Sequence, residues 1–102
     1  MSQYRVVLSE NAESDLQNYI NYIIYKCKAP LTALRHYESL FETLNFLKRS
    51  PESYSIQTRT SLQQFGANTR RVNFKKMAII YTIHGDIVYI HRIVAGAMII
   101  EL

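Results

Sequence analysis

Three arginines and one histidine of this sequence are the main candidates for binding an anion or moving a proton. Arg70 and Arg71 are adjacent, and His91 directly precedes Arg92. A guanidinium binds carboxylate or phosphate through paired hydrogen bonds, and an imidazole exchanges a proton near neutral pH. Acid–base chemistry at a phosphate without a metal needs a proton acceptor, cations at the phosphate and an acid for the leaving oxygen. These four residues are therefore the candidates for binding an anion or for acid–base chemistry.

The same four residues also have structural explanations. Neighbouring residues of a strand point to opposite faces, so Arg70 and Arg71 should diverge, as should His91 and Arg92. Arg92 should lie among Val88, Ile90 and Val94 on one face of its strand, where a permanent charge needs a partner or a place at the rim. The candidate partners are the carboxylates of the preceding helices, Asp15, Glu38 and Glu42. An ion pair is thus as good an explanation of Arg92 as a functional role.

The remaining reactive side chains favour structural roles. We expect His36 to occupy a solvated helix position and His84 to lie exposed in a hairpin turn. Cys27 is the single cysteine, so it can form neither an internal disulfide nor a zinc-finger pair, and we expect it to be buried and inert. The sequence predicts no cofactor and no metal site.

The positive charge is concentrated in the second half of the chain. The 102 residues carry a formal charge of +4 and are 48% hydrophobic, which is typical of a folded chain and predicts a single domain over residues 1–102. Acidic and basic residues are equal in number up to Ser53, and the whole excess of basic residues lies beyond it. This asymmetry favours an anionic partner, either nucleic acid or an acidic protein segment. No signal peptide or membrane span is recognisable, so we expect a cytoplasmic protein with no membrane partner.

The first half reads as a strand followed by two helices. Tyr4–Leu8 alternates as a half-buried strand does, and Ser9 can cap a helix whose apolar stripe runs to Cys27. Pro30 suits the first turn of a second helix, which Ser50 and Pro51 end. The apolar stripe of the second helix contains Ala33, Tyr37, Leu40, Phe41, Leu44 and Leu47. The two helices should form an antiparallel hairpin.

The second half reads as a connection followed by three strands. Residues 52–69 are polar but carry Tyr54, Ile56, Leu62 and Phe65, so the connection should be partly pinned to the core, with a turn at Gly66. Three β-rich segments follow at 70–74, 77–83 and 87–94, separated by hairpin-sized turns. The fold class is therefore α+β, an antiparallel meander with the helical hairpin on one face of the sheet.

The ordered set of segments resembles the RelE/ParE superfamily of toxins from type II toxin–antitoxin systems. The N-terminal match is the segment from Val7 to Leu16, with Ala12 and the pair Asp15-Leu16 in the first helical turns. The C-terminal match comprises Gly66, Arg70-Arg71-Val72, Ala78–Ile83, Asp86–Ile90, Arg92-Ile93-Val94 and Gly96-Ala97. The resemblance spans nearly the whole chain and lies in the order of these segments more than in any one of them.

Within this superfamily, the sequence is more similar to the ParE branch than to the messenger ribonucleases. The ribonucleases carry cations where this chain has Asn73 and Ala78. They often carry a histidine where it has Ala95, and a tyrosine near Ile99 or Ile100. Arg70 and the run Arg92-Ile93-Val94 before Gly96-Ala97 resemble ParE. That branch commonly has a histidine before the glycine and an arginine after the alanine, where this chain has Ala95 and Met98. These departures predict weakened toxicity.

The resemblance implies a non-catalytic inhibitor of DNA gyrase or another topoisomerase, neutralised by a cognate antitoxin. The expected contact residues are Arg70, Arg71, Arg92 and Met98. The alternative is a RelE-like endoribonuclease acting on messenger RNA at the ribosome through Arg70, Arg71, His91 and Arg92. A third possibility is a basic nucleic-acid-binding module without toxicity. A homodimer through apolar side chains such as Tyr19 and Tyr22 also remains open.

Overall fold

The fold is an α+β arrangement of four strands and two long helices, in a computed structural model that describes residues 3–101, with side chains through Ile99. The elements in chain order are β1 (Arg5–Leu8), α1 (Glu10–Asn21) with a π-helical extension (Tyr22–Lys26), α2 (Pro30–Arg49), a 3₁₀ turn (Pro51–Ser53), α3 (Thr60–Gln63), β2 (Arg70–Phe74), β3 (Met77–His84), β4 (Ile87–Ala95) and a 3₁₀ segment (Gly96–Glu101). The predicted element order is confirmed.

The four strands form one mixed sheet in the order β1-β4-β3-β2. Strands β2, β3 and β4 pair antiparallel, as the meander prediction requires. Strand β1 pairs parallel to β4, from Arg5 opposite Ile87 to Leu8 opposite Ile90. The N-terminal strand therefore lies next to the last strand, although the helices and strands β2 and β3 separate the two in the chain. The long sequence separation of this pair is why local patterns do not reveal it.

Helix α1 begins as the sequence predicts but ends differently. The Ser9 hydroxyl accepts a hydrogen bond from the Ala12 amide at 3.0 Å, which confirms the N-cap. Ala12 and Ile23 are buried on the apolar stripe. The π-helical turn then widens the helix, and a residue in such a turn no longer follows the 3.6-residue period. Cys27 is consequently exposed, and the prediction that it is buried was wrong.

Helix α2 contacts the sheet along a narrower stripe than the sequence indicates. Pro30 is its first residue, as predicted, and Ala33, Leu40 and Leu47 are buried. Tyr37 and Phe41 lie at the edge of this stripe and remain exposed. The core beneath the helices combines Ala12, Leu40 and Leu47 with the strand residues Val72, Phe74, Met77, Ile79, Tyr81, Val88, Ile90 and Ile93. The helices therefore pack on one face of the sheet, as predicted.

The opposite face of the sheet is covered by the connection and the C-terminal 3₁₀ segment. A second apolar cluster there contains Leu62, Ala78, Ile80 and Ile99, with Phe65 and Val94 packed against it. Of the four predicted anchors of the connection, Leu62 is buried in this cluster, Phe65 packs against it, and Tyr54 packs against the core beneath the helices. Ile56 is 43% exposed and forms an isolated antiparallel bridge with Arg70 instead.

Tyr81 ties the central strand to the end of α2. Its side chain is fully buried, and its hydroxyl donates a hydrogen bond to the Pro51 carbonyl oxygen at 2.6 Å. Burial raises the pKa of Tyr81, so the hydroxyl keeps its proton and remains a donor. We expect Tyr81→Phe to lower the free energy of unfolding by about 1–3 kcal/mol, because the buried carbonyl loses this donor. Urea denaturation measures the loss.

The matched control for Tyr81→Phe is Tyr25→Phe, which removes the hydroxyl of a side chain that is 74% exposed. A surface change of this kind should alter the free energy of unfolding by less than about 0.5 kcal/mol. Equal effects of the two substitutions would contradict a stabilising role for the Tyr81 hydroxyl.

Candidate functional site

A groove lies between α1 and the free edge of β4. Strand β1 ends at Leu8, so the second half of β4 has no strand neighbour on this side. Side chains of the helical segment take over its hydrogen bonds. The Ser9 hydroxyl donates to the His91 carbonyl oxygen at 2.8 Å, and the Asp15 carboxylate accepts from the Ile93 amide at 3.0 Å. Helix α1 thus occupies the place where a further strand segment would lie.

The groove combines an apolar wall with a polar one and has a volume of about 1170 Å³. The sheet side is lined by Phe65, Met77, Ile93, Val94, Ala95 and Met98, and the α1 side by Asn11, Asp15, Asn18, Tyr19 and Tyr22. Met98 is 50% exposed and Tyr22 is 56% exposed. A large concave surface with apolar walls and a few polar groups is typical of a binding site.

Arg92 belongs to this groove and is held there by Asp15. The Arg92 Nε atom lies 2.7 Å from Asp15 Oδ2, and an Nη2 hydrogen bond of 3.0 Å reaches Oδ1. The two side chains are 30% and 15% exposed. Hydrogen bonding to the carboxylate raises the pKa of Arg92, so the guanidinium stays charged. Of the three carboxylates predicted as possible partners, Asp15 is the one that binds Arg92.

A β-bulge decides where Arg92 points. The register between β3 and β4 shifts at Ile80 and Tyr81. Val88 and Ile90 face the core beneath the helices, but the next residue of β4 in that core is Ile93. The expectation that Arg92 shares a face with Val88 and Ile90 was therefore wrong, because an extra residue interrupts the two-residue alternation.

His91 has a different partner from Arg92 and belongs to a small polar cluster. Its Nε2 atom lies 2.8 Å from the Thr82 hydroxyl, and the Nε2 atom of His84 lies 2.7 Å from the same oxygen. The Phe65 ring packs against the His91 ring with centroids 5.0 Å apart. Burial lowers the pKa of His91, and the neighbouring His84 adds to the effect. His84 itself is exposed, as predicted.

This cluster should make the stability of the protein depend on pH. The folded chain favours neutral His91, so the unfolded chain binds the proton first as the pH falls. We expect the free energy of unfolding to be largest above the ordinary histidine pKa of 6.5 and to decrease as the pH falls toward the pKa of the folded state. Urea denaturation between pH 5 and pH 8 measures this slope.

The control is His91→Gln, which should reduce the slope but not abolish it. His36 contributes in the same direction, because burial and the nearby Lys75 lower the pKa of His36. An unchanged pH dependence in His91→Gln would contradict the assignment to His91.

The other two arginines are held by separate partners. Arg70 donates through Nη1 to the carbonyl oxygens of Glu52 at 3.2 Å and Tyr54 at 2.5 Å, which fastens the connection to β2. Arg71 donates through Nε to Asn73 Oδ1 at 3.0 Å. A Cβ atom added at Gly96 would lie 3.3 Å from Arg71 Nη2, so the absence of a side chain at this position lets the guanidinium approach closely.

The structure does not gather Arg70, Arg71, His91 and Arg92 around one point. Arg70 donates a hydrogen bond to the connection at Tyr54, His91 binds Thr82, and Arg92 binds Asp15. In the part of the chain with described side chains, no group of three or more histidine, cysteine or acidic residues could hold a metal ion. His36 is half-buried with a hydrogen bond to the Tyr19 hydroxyl, so the prediction of a solvated histidine was wrong.

Sequence reasoning missed the roles of two residues in the groove. Asp15 is one of the predicted partners of Arg92, but its hydrogen bond to the Ile93 amide depends on where β1 ends. Phe65 anchors the connection as predicted, and it also forms part of the groove wall. No local sequence pattern indicates either role, because both depend on tertiary contacts between segments that are far apart in the chain.

Comparison with known proteins identifies the family. A family model described as the ParE toxin of the type II toxin–antitoxin system parDE matches residues 6–100. The chain belongs to the ParE toxin family. A solved structure titled as the chromosomal ParDE TA system from P. aeruginosa is similar in fold, with a TM-score of 0.68 at 14% identity over 90% of this chain and 95% of that chain. No curated protein sequence matches.

Membership of the ParE family makes this chain the toxin component of a type II toxin–antitoxin system. Such a toxin has an antitoxin as its partner. Among residues 3–101, no helix is long and apolar enough to cross a membrane. The family prediction made from the ordered segments is confirmed, and so is the choice of the ParE branch.

Proposed function

We propose that this ParE toxin inhibits DNA gyrase in the cytoplasm by binding, and that its antitoxin competes for or remodels the same groove. The observation that carries the proposal is the groove between α1 and β4, with its apolar wall and one oriented guanidinium. A chain that acts by binding needs a complementary surface and no assembled acid–base pair. The separate partners of the four candidate catalytic residues support this reading over cleavage.

Arg92 and Met98 are the proposed contact residues at the groove. Asp15 fixes the direction of the Arg92 guanidinium, so a carboxylate or backbone carbonyl of a partner meets an oriented donor. Met98 is a flexible, half-exposed thioether that adapts to an apolar side chain. Arg70 and Arg71 on the edge strand β2 form a second, more distant set of proposed contacts.

The groove also supports the prediction of weakened toxicity. Ala95 and Met98 both line it, at the places where ParE-like sequences commonly carry a histidine and an arginine. Two polar groups that could bind the target are thus replaced by apolar ones. We propose that the toxin binds gyrase less tightly for this reason and that Met98→Arg strengthens the inhibition.

The test is gyrase-catalysed supercoiling of relaxed plasmid DNA with the purified toxin. Wild-type toxin should inhibit, Met98→Glu should inhibit at least tenfold less, and Met98→Arg should inhibit more. The control is Gln63→Glu, which adds the same charge at an exposed position on α3 and should match wild type. Uninhibited supercoiling at high toxin concentration would contradict the proposal.

Induction of the toxin in bacteria separates the proposed function from its rival. Early loss of labelled thymidine incorporation supports inhibition of gyrase. Early loss of labelled methionine incorporation, with cut messenger RNA, would favour a ribosome-dependent endoribonuclease instead. An excess of antitoxin should restore growth in either case.

The groove also affects whether a homodimer could form through Tyr19 and Tyr22. Tyr19 is half-buried against Phe74, with ring centroids 6.4 Å apart, so it offers little surface to a second copy. Tyr22 is exposed but lines the groove proposed for the antitoxin. A homodimer through these two tyrosines would compete with the antitoxin, so a toxin dimer that coexists with antitoxin requires another surface.

A further inference from the structure

The edge strand β2 and the turn after it present a row of polar and positively charged side chains. Val72 and Phe74 of this strand are buried in the core beneath the helices. The alternate residues therefore face the other side of the sheet, where Arg71 is half-buried and Asn73 is exposed. The turn adds two exposed lysines. We call this row the β2 patch, which consists of Arg71, Asn73, Lys75 and Lys76.

The Arg71 guanidinium is held beside this turn. Its Nε atom donates the hydrogen bond of 3.0 Å to Asn73 Oδ1, which fixes the direction of the side chain. A Cβ atom added at Gly96 would lie 3.3 Å from Arg71 Nη2 and 3.5 Å from the Lys76 carbonyl oxygen, so the guanidinium and the turn are close neighbours. Among the described side chains, Arg71 donates through Nε alone, so both Nη nitrogens remain for an anion.

No carboxylate whose side chain is described forms an ion pair with the β2 patch. The ion pair in that part of the chain joins Arg92 to Asp15 in the groove. Asp86 lies in the turn between β3 and β4, next to β1 at the opposite margin of the sheet. The positive field extends to His36, since burial and the charge of Lys75 both lower the pKa of that histidine. The patch is thus a local concentration of unbalanced positive charge.

The backbone of Lys75 indicates that its charge is retained at a cost. Its φ angle is 52°, in the left-handed region that glycine adopts with the least strain. The residue is exposed, so burial of apolar surface does not offset this strain. Strained residues of this kind concentrate at functional sites. Binding of an anion therefore explains a lysine at this position better than packing does.

The composition of the β2 patch decides which anionic partner fits it. The patch exposes no apolar side chain, whereas a protein–protein interface has an apolar core. Protein–DNA interfaces are more polar and much more positively charged. A single strand is usually bound by aromatic side chains that stack on its bases, and the patch contains no aromatic residue. A surface of this kind fits the phosphates of a duplex.

We propose that the β2 patch binds the phosphate backbone of double-stranded DNA. Arg71, Lys75 and Lys76 each neutralise one phosphate, and Asn73 keeps the guanidinium in position. Contacts with phosphates carry no sequence information, so the binding is independent of sequence. Lys76 directly precedes Met77, which lines the groove, so the patch adjoins one end of the groove. A protein in the groove and a duplex on the patch would therefore lie side by side.

The test is the fluorescence anisotropy of a short labelled DNA duplex, titrated with purified toxin over a range of salt concentrations. Three neutralised phosphates give a slope of about −2.7 in a plot of the logarithm of the binding constant against that of the salt concentration. The triple variant Arg71→Gln/Lys75→Gln/Lys76→Gln should bind at least tenfold less tightly at low salt and with a slope near zero. Circular dichroism confirms that the variant folds.

The matched control removes the same charges elsewhere on the surface. Arg5→Gln/Lys26→Gln/Lys48→Gln changes one arginine and two lysines, all exposed, on β1 and at the ends of the two helical segments. This variant has the same net charge as the patch variant and should bind the duplex within about threefold of wild type. A dependence on net charge alone would instead weaken both triple variants equally and would overturn the proposal.

Lys75→Gly tests one position without adding strain. It removes one cation and allows the left-handed turn, so the slope should decrease in size by about 0.9 while the protein stays folded. No binding of the duplex at low salt, or tighter binding of oligoglutamate or of the single strand than of the duplex, would also overturn the proposal. The assay contains no gyrase, so its outcome and that of the supercoiling test are independent.

Discussion

Asp15→Ala is expected to lower the free energy of unfolding by about 2–3 kcal/mol and to abolish the orientation of Arg92. Asp15 accepts three hydrogen bonds, two from the Arg92 guanidinium and one from the Ile93 amide. Breaking a buried ion pair costs about 3–5 kcal/mol, and the partial exposure of this one reduces the cost. The unpartnered Ile93 amide adds to the loss. Urea denaturation measures the stability, and gyrase supercoiling measures the function.

Two further variants separate the contributions of Asp15. Glu13→Ala removes an exposed carboxylate from the same helix and should cost less than about 1 kcal/mol. Arg92→Met removes the cation but leaves Asp15 bound to the Ile93 amide. The double variant Asp15→Ala/Arg92→Met then gives the coupling energy between these two side chains, which we expect to be about 1–3 kcal/mol. A coupling near zero would show that the ion pair adds nothing beyond its separate residues.

Leu40→Ala is expected to lower the free energy of unfolding by about 2–5 kcal/mol, a larger loss than that of Asp15→Ala at the upper end of the range. The side chain is 1% exposed and lies in the core between the helices and the sheet, where its removal leaves a cavity. The control Leu31→Ala is the same substitution on the same helix at a side chain that is 69% exposed. It should cost less than about 1 kcal/mol. Similar losses in both variants would mean that α2 packs differently.

Local signals were sufficient for most of the secondary structure. Ser9 and Pro30 mark the starts of the two helices because a cap and a proline act on the first turn alone. The three C-terminal strands follow from β-branched residues separated by short turns. The place of β1 was not predictable in this way, since its parallel partner β4 lies some 80 residues away in the chain.

The sequence was sufficient to name two residues of the candidate groove, but it did not indicate how they are arranged. Arg92 and Met98 were selected by resemblance, and both line the groove. The bulge that turns Arg92 toward Asp15 and the end of β1 that exposes the edge of β4 are tertiary features. Cys27 was misplaced for a related reason, because a π-helical turn shifts the angular position of the residues after it.

The edge strand β2 bears on how this toxin avoids uncontrolled assembly. It is five residues long, includes the two cations Arg70 and Arg71, and leads into the turn Lys75-Lys76. A short edge rich in positive charge repels the same edge of another molecule, which protects against continuous sheet growth. At the other side of the sheet, Asp15 and Ser9 occupy hydrogen-bonding groups of β4 that could otherwise recruit a strand. A toxin that accumulates when its antitoxin is lost is thereby protected from sheet growth at β2 and along the half of β4 that β1 does not cover.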